Sequence, residues 1–465
     1  VKILVIGGGV AGLSAALTAD TAGHDVVLLE QRSFCGGRAY SFTEPVTRAT
    51  IDNGQHLLMG CYRATLAMLR TIGSEHLVTQ ESRFVVPLLL PSGELATLDC
   101  PNLPAPWHVA AGLLRLRGFP KRDVWHLRRA FAALKNISAA TYAQWDCVSV
   151  SEWLDQIRQS TMAREIFWTP LTLAIMNETP ERASVAPLLM MLREGLWERG
   201  VSRGLVVPRV GLSELLIDPA VERLRAHGHV VQESTTVQSV LIENSQLRGV
   251  VTTRGITITA DAIIFACPPR ELGRVLAASG CADDAHWQPL TAWESVPICS
   301  VHLWYDRAVL PSAMLGLPDE NFHWAFGKAV AGRRSPVAGK DNTSGAVAVT
   351  GDRRPATGDC ISLVSSACRE LAAKPRVEIL QAAQAVMQKY FPAARAAKLV
   401  HAQLTKELHA TVSLTVGSAT QRLPTRTPWT NAFLAGDWTQ TFLPATIEGA
   451  VRSGANAAQL LETRE

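Results

Sequence analysis

Residues 2 to 12 read Lys2-Ile-Leu-Val-Ile-Gly-Gly-Gly-Val-Ala-Gly12, a short apolar run that breaks into Gly7, Gly9 and Gly12 and continues as a helical pattern from Leu13 to Ala22. This is the spacing of a dinucleotide-binding turn. Gly7 permits the tight turn, Gly9 lets backbone approach a pyrophosphate, and Gly12 lets the helix pack closely on the strand. The unpaired amides at the helix N-terminus then face the phosphates. A second strand, Asp25-Val-Val-Leu-Leu-Glu30, ends in a carboxylate about 20 residues after the glycines, where it accepts ribose hydroxyls and repels a 2′-phosphate. By itself this unit serves NAD as well as FAD.

A chain of 465 residues exceeds the size at which one core keeps growing, so two domains are expected. Charged residues make up 18% and hydrophobic residues 47%, with no apolar run of bilayer length, so a spanning helix is not expected. A net charge of +4, without aromatics interleaved in a basic stripe, argues against a nucleic-acid partner. Nine cysteines, at positions 35, 61, 100, 147, 267, 281, 299, 360 and 368, form no CxxC pair and no metal-ligand cluster. Reduced thiols, a cytoplasmic location and no metal are the expectation. The opening apolar run leads directly into the glycine turn and does not read as an export signal.

The fold class expected is α/β: a Rossmann-like FAD-binding domain with a discontinuous mixed α+β substrate domain. Residues 1–86, 205–269 and 425–465 are assigned to the first and residues 87–204 and 270–424 to the second. The stretch from Pro87 to Gly204 reads as helical, with breaks at its prolines and at Gly118. Ser213 to His227 reads as a helix, followed by short strands and the buried run Asp261 to Pro269. Ala329 to Gly358, rich in Gly, Pro, Ser and basic residues, reads as a mobile loop.

Two further motifs favour FAD. Gly36-Gly37-Arg38 resembles the GGR signature of the flavin amine oxidase and phytoene desaturase superfamily, which brings Gly37 and Arg38 toward the pyrophosphate. Phe433-Leu-Ala-Gly436-Asp437-Trp438, with Pro444 to Gly454, is similar to that superfamily's C-terminal flavin motif. The resemblance implies that Gly436 and Asp437 hold the ribityl chain. It also implies that Ile447 and Glu448 open a helix facing the flavin N1/C2 edge, and that Val237 offers backbone to adenine. No Cys or His stands beside the C-terminal motif, so noncovalent FAD is expected. Ile51-Asp-Asn-Gly-Gln-His56, together with Leu434 to Thr439 and Leu443 to Gly449, resembles the squalene-associated FAD-dependent desaturase family, and the likeness extends over nearly the full length.

That resemblance implies reductive dehydroxylation of hydroxysqualene, an allylic C30 alcohol, to squalene in squalene and hopanoid biosynthesis. Hydride would come from reduced flavin, His56 or Asp52 would assist hydroxide departure as general acid, and Trp168, Trp304, Trp324 and Trp438 offer ring faces to shield a cation. The same flavin motifs also serve a carotenoid-type isoprenoid desaturase, an amine oxidase or, without redox chemistry, a prenyl-binding escort protein. The electron donor, chain-length selectivity and oligomeric state are not encoded in these motifs. Finally, residues 105–135 read as a helical pair whose second member carries Val124, Leu127, Phe131 and Leu134 at helical spacing beside Lys121, Arg122, Arg128, Arg129 and Lys135. Two readings follow from it. Either the stripe lies on the inner face of the cytoplasmic membrane as a peripheral contact, or it packs on the domain core with the charges solvated.

Overall fold

The computed structural model describes residues 1–196, 204–244, 246–328 and 360–462. Among these, twelve strands form two large sheets: β1 (Lys2–Ile6), β2 (Asp25–Leu29), β3 (Val85–Leu89), β4 (Leu95–Asp99), β5 (Val230–Gln232), β6 (Ala262–Phe265), β7 (Ser295–Tyr305), β8 (Met314–Gly316), β9 (Trp324–Lys328), β10 (Cys360–Ser365), β11 (Leu399–Val412) and β12 (Ala432–Leu434). The helices that position the site are α1 (Val10–Thr21), α2 (Arg63–Thr71), α3 (Trp107–Arg115), α4 (Lys121–Asn136), α5 (Val185–Leu196), α6 (Arg376–Tyr390) and α7 (Ile447–Gln459).

The first sheet has the order β5-β2-β1-β6-β12 and is parallel throughout. A parallel sheet is covered on both faces, which is why Ile3 to Ile6 and Ala262 to Phe265 are uninterrupted apolar runs, buried along their whole length. Helix α1 crosses from β1 to β2 and is itself covered by α7. A Cβ on Gly454 would lie 2.0 Å from the Ala11 carbonyl oxygen, so the closeness of the two helices depends on that glycine. The Ser14 hydroxyl donates to the Val451 carbonyl at 2.8 Å. Start, middle and end of the chain thus meet in one layer.

The second sheet has the order β11-β7-β10-β9-β8-β3-β4 and is antiparallel except between β8 and β3. Alternation along β7 divides its residues between two faces. Cys299, Val301, Leu303 and Tyr305 enter a core with Ile379, Ala383 and Met387 of α6. Ser300, His302 and Trp304 point the other way, opposite Thr405, Gln403 and His401 on β11.

Several expectations need correction. The stretch from Pro87 to Gly204 is not helical from its start, because Val85 to Leu89 and Leu95 to Asp99 form a hairpin in the second sheet. The strand Val85–Leu89 therefore runs through the expected division between residues 86 and 87. The helix expected from Ser213 opens as a π-turn over Ser213–Ile217 before becoming α-helical at Asp218. Pro219 has no N–H to continue the ladder, and a π-turn over Arg164–Trp168 likewise precedes Pro170. The α4 stripe packs inward: Leu127 and Leu134 are buried, with Val124 and Phe131 against the same core. The loop expected over Ala329 to Gly358 lies outside the described residues.

Candidate active site

The glycine turn stands at the carboxyl end of β1. Gly7 has φ +110°, and a Cβ there would meet the Ala266 carbonyl oxygen at 2.7 Å; a Cβ on Gly12 would meet the Gly7 carbonyl oxygen at 1.9 Å. Gly9 is the cap residue of α1, which has no side-chain cap and no acid in its first turn. Its amides are left for an anion. Beyond Gly9 the space is open, since a Cβ there would meet only the Gly37 Cα at 3.9 Å, and Gly36 donates to the Gly8 carbonyl at 2.8 Å. Two glycine pairs therefore form a cradle lined by backbone, which fits a pyrophosphate.

Glu30 is buried beside it, its carboxylate accepting the N–H of Gly8 at 2.7 Å and of Arg32 at 2.8 Å. Each carboxylate oxygen keeps a lone pair for a ribose hydroxyl. Thr235 donates to the Glu30 carbonyl and Ser234 to the Arg32 carbonyl, bringing the half-buried Val237 alongside the same end. Arg38 reaches Asp437 at 2.6 Å and the Ala410 carbonyl at 2.7 Å. Gly436, at φ +144°, turns the chain so tightly that a Cβ would strike the Trp438 indole. The residues present thus fit the pyrophosphate and a ribose of FAD.

Glu448 opens α7 beside Ile447, and its side chain is engaged away from that terminus. Its buried carboxylate accepts the N–H groups of Ala64 and Thr65 and the Thr65 hydroxyl, capping α2, and also takes the Arg452 Nε at 2.9 Å. Only its backbone, with that of Ile447, is left at the N-terminus of α7 for a flavin. The side chain is instead a long-range cap, a partnership that no local pattern at Glu448 announces.

The loop from Asp52 to His56 lies between the two sheets' contributions. Asp52 Oδ1 accepts the Ser41 hydroxyl at 2.6 Å and the Leu212 N–H at 3.0 Å, which anchors the loop. Asn53 donates to Glu407 on β11 at 3.1 Å. His56 Nδ1 is 2.6 Å from the Gly54 carbonyl, which assigns the ring proton to Nδ1 in the neutral form and leaves a lone pair on Nε2. Burial pushes the His56 pKa down; the Gly54 carbonyl and Asp52 oppose this, and the Arg38 charge adds to it. A Cβ placed on Gly54 would be 3.7 Å from His56 Cε1 and 3.9 Å from Ser300 Oγ, so the loop lies against the polar face of β7. On that face the buried hydroxyls of Ser300 and Thr405, cross-strand neighbours, have no hydrogen-bond partner among the described residues.

The sequence reading missed Ser300, Thr405, Glu407 and Arg422. Buried Arg422 donates to the carbonyls of Leu443 and Asp437 and to the Thr441 hydroxyl, clamping the loop after the Gly-Asp turn. None of the four sits in a motif; strand register shows Ser300, Thr405 and Glu407, and loop closure shows Arg422. The four tryptophans do not assemble into one cage. Trp168 donates to Gln159 and packs on Trp153 and Phe167, and Trp438 donates to the Cys267 carbonyl. Trp304 and Trp324 share the face of β7 that carries Ser300.

Among known proteins, the family model for flavin containing amine oxidoreductase matches residues 10–461. Hydroxysqualene dehydroxylase of Rhodopseudomonas palustris is 30% identical over 468 residues, covering 98% of this chain and 97% of its own length. The 15-cis-phytoene desaturase of an Oncidium hybrid cultivar is 26% identical over 474 residues, covering 99% of this chain and 77% of its own length. A solved putrescine oxidase, redesigned in its cofactor binding, shares the fold with a TM-score of 0.73 at 16% identity, over 100% of this chain and 99% of that one.

Proposed function

From the premise that this chain belongs to the flavin-containing amine oxidoreductase family and is an FAD-dependent oxidoreductase, we propose that it converts hydroxysqualene to squalene by reductive dehydroxylation. The observation that carries the reading is the match in length to a hydroxysqualene dehydroxylase, end to end on both chains, where the phytoene desaturase is spanned over 77% of its length. FAD, bound noncovalently in its reduced form, supplies the hydride.

The chain's own residues hold the reacting alcohol and manage its proton. The substrate hydroxyl seats between His56 and the unpaired hydroxyls of Ser300 and Thr405, each of which gains the partner it lacks. His56, protonated at Nε2 when the alcohol binds, gives up that proton as the carbon–oxygen bond breaks. Water leaves with the electron pair of that bond, and a carbon–hydrogen bond forms in its place. The imidazole returns to its neutral form with Nδ1–H still on Gly54. Asp52, committed to Ser41 and Leu212, positions the loop and is not the donor. Trp324, paired with Val364 and so on the same sheet face as Ser300, offers a ring to shelter positive charge on the allylic carbon, whereas Trp304 is buried in a separate cluster with Ile51 and Cys360.

In this reading, residues 1–84, 205–269 and 425–465 carry the cofactor and 85–204 with 270–424 the isoprenoid. The protein works at the inner surface of the cytoplasmic membrane. The test is anaerobic incubation of reduced, FAD-loaded protein with hydroxysqualene, followed by product analysis. Squalene is the expected product; recovery of unreacted alcohol, or a product with a new double bond, overturns the assignment.

A further inference from the structure

Helices α3 and α4 form a hairpin whose inner side is already used. Val109 and Leu113 of α3 and Leu127, Ala130 and Leu134 of α4 are buried in the main core. The outer side of α4 is formed by Lys121, Arg122, Trp125, Arg128, Ala132 and Lys135, all exposed and spaced to share one stripe. It holds no carboxylate. The acid of α4, Asp123, is fully buried, where it accepts the N–H of Ser160 at 2.6 Å and the Ser160 hydroxyl at 3.0 Å; it also lies 3.8 Å from the Nε of Arg122, whose side chain remains largely exposed. On α3, Trp107 is 61% exposed and Leu114 52%, and Trp125 on α4 is 59% exposed. The other described tryptophans are buried or half-buried. The Arg128 guanidinium lies 3.4 Å from the centroid of the Trp125 ring, pairing a cation with an aromatic on the outermost surface.

We propose that this outer face of the α3–α4 hairpin docks on an anionic lipid bilayer. Exposed tryptophan beside lysine and arginine, on a face without acids, is complementary to a headgroup layer: the rings sit at the interface and the cations meet lipid phosphates. The contact is shallow, with Trp107, Trp125 and Leu114 as the apolar points. Among the described residues no helix is long and apolar enough to cross a membrane. The surface differs from the buried stripe of Val124, Leu127, Phe131 and Leu134, which belongs to the protein interior. Directly inside the hairpin, Val109, Leu127, Phe131, Phe167 and Trp168 line a small apolar cavity, so the docked side has an apolar interior behind it. The docking does not depend on which isoprenoid the enzyme reduces.

The test is sedimentation of the full-length, FAD-loaded protein with phosphatidylcholine vesicles and with vesicles that also contain phosphatidylglycerol. Binding should appear with the anionic vesicles and weaken as salt rises. The double variant Arg122→Glu/Arg128→Glu should bind roughly tenfold more weakly or worse, and Trp107→Ala/Trp125→Ala should lose binding that salt does not remove. Flavin content and melting temperature equal to the parent's certify the folds; if a charge-reversed chain fails that control, Arg122→Gln/Arg128→Gln replaces it. Protein left in the supernatant with anionic vesicles at low salt overturns the proposal. So does equal binding by the charge variant, or a protein dimer that the same variant dissolves while vesicle binding persists.

Discussion

In the phosphate turn, from Gly7 to Glu30, the groups offered to a cofactor are mostly backbone amides, exposed because glycine keeps side chains out of the way. On the β7 face the groups we propose for substrate are side chains, Ser300, Thr405 and Trp324, carried by strands far apart in sequence and supplemented by His56 from a loop. The turn leaves no room for an added atom at Gly7 or Gly12, whereas a smaller side chain on the sheet face leaves the strand backbone in place. Under the proposed function, the first region governs whether a holoprotein forms and the second what it does. Substitutions in the two regions should separate cleanly by readout.

The largest effect is expected at Gly12. A Cβ there would lie 1.9 Å from the Gly7 carbonyl oxygen, which is backbone and cannot swing aside. Gly12→Ala should cost about 3 kcal/mol, seen as a lowered melting temperature and little flavin in the purified protein. A fully yellow variant of parental stability would break the contrast between the regions.

His56→Ala should lower kcat on the order of a hundredfold while bound FAD stays in place. The pH profile sharpens this. Burial holds the His56 pKa below the ordinary histidine value, so at neutral pH the imidazole is mostly uncharged and the proton-donating form is the minor one. Activity should therefore rise as pH falls and decline as pH increases through a midpoint below 6.5. The variant should lack that limb. A limb that survives in His56→Ala moves the acid elsewhere.

The smallest effect is expected at Glu30. The sequence alone suggests that Glu30→Ala touches cofactor binding more than folding, but the carboxylate also holds the amides of Gly8 and Arg32. Alanine would leave both amides without their acceptor, so Glu30→Gln is the cleaner probe. It should weaken FAD binding roughly tenfold with a smaller change in stability. Equal affinity, read by titrating FAD into the apoprotein, would remove Glu30 from the ribose site.

What could be read from the chain follows the same division. The β1–α1–β2 unit was legible because glycine spacing, apolar strands and a terminal acid all act within about 30 residues. Gly436 and Asp437 were legible for the same reason. Glu448 was not, since its side chain turns to the α2 amides, whose distance along the chain gives a local pattern nothing to register. Arg422 and the Ser300–Thr405 pair escaped because their neighbours are set by strand register and loop closure.

The sequence by itself indicated a dinucleotide turn near its start and a flavin motif near its end, because backbone conformation at glycines and strand ends is a local property. Only the tertiary structure decided which faces were left over. Period and composition gave α4 an apolar stripe and a charged one. The stripe facing Trp153 and Phe167 became core once α3, α4 and α5 packed together, and the opposite stripe, with Trp125 and its cations, became surface. Burial is a relation between distant segments, so the helix pattern fixed the two stripes and the packing assigned their roles.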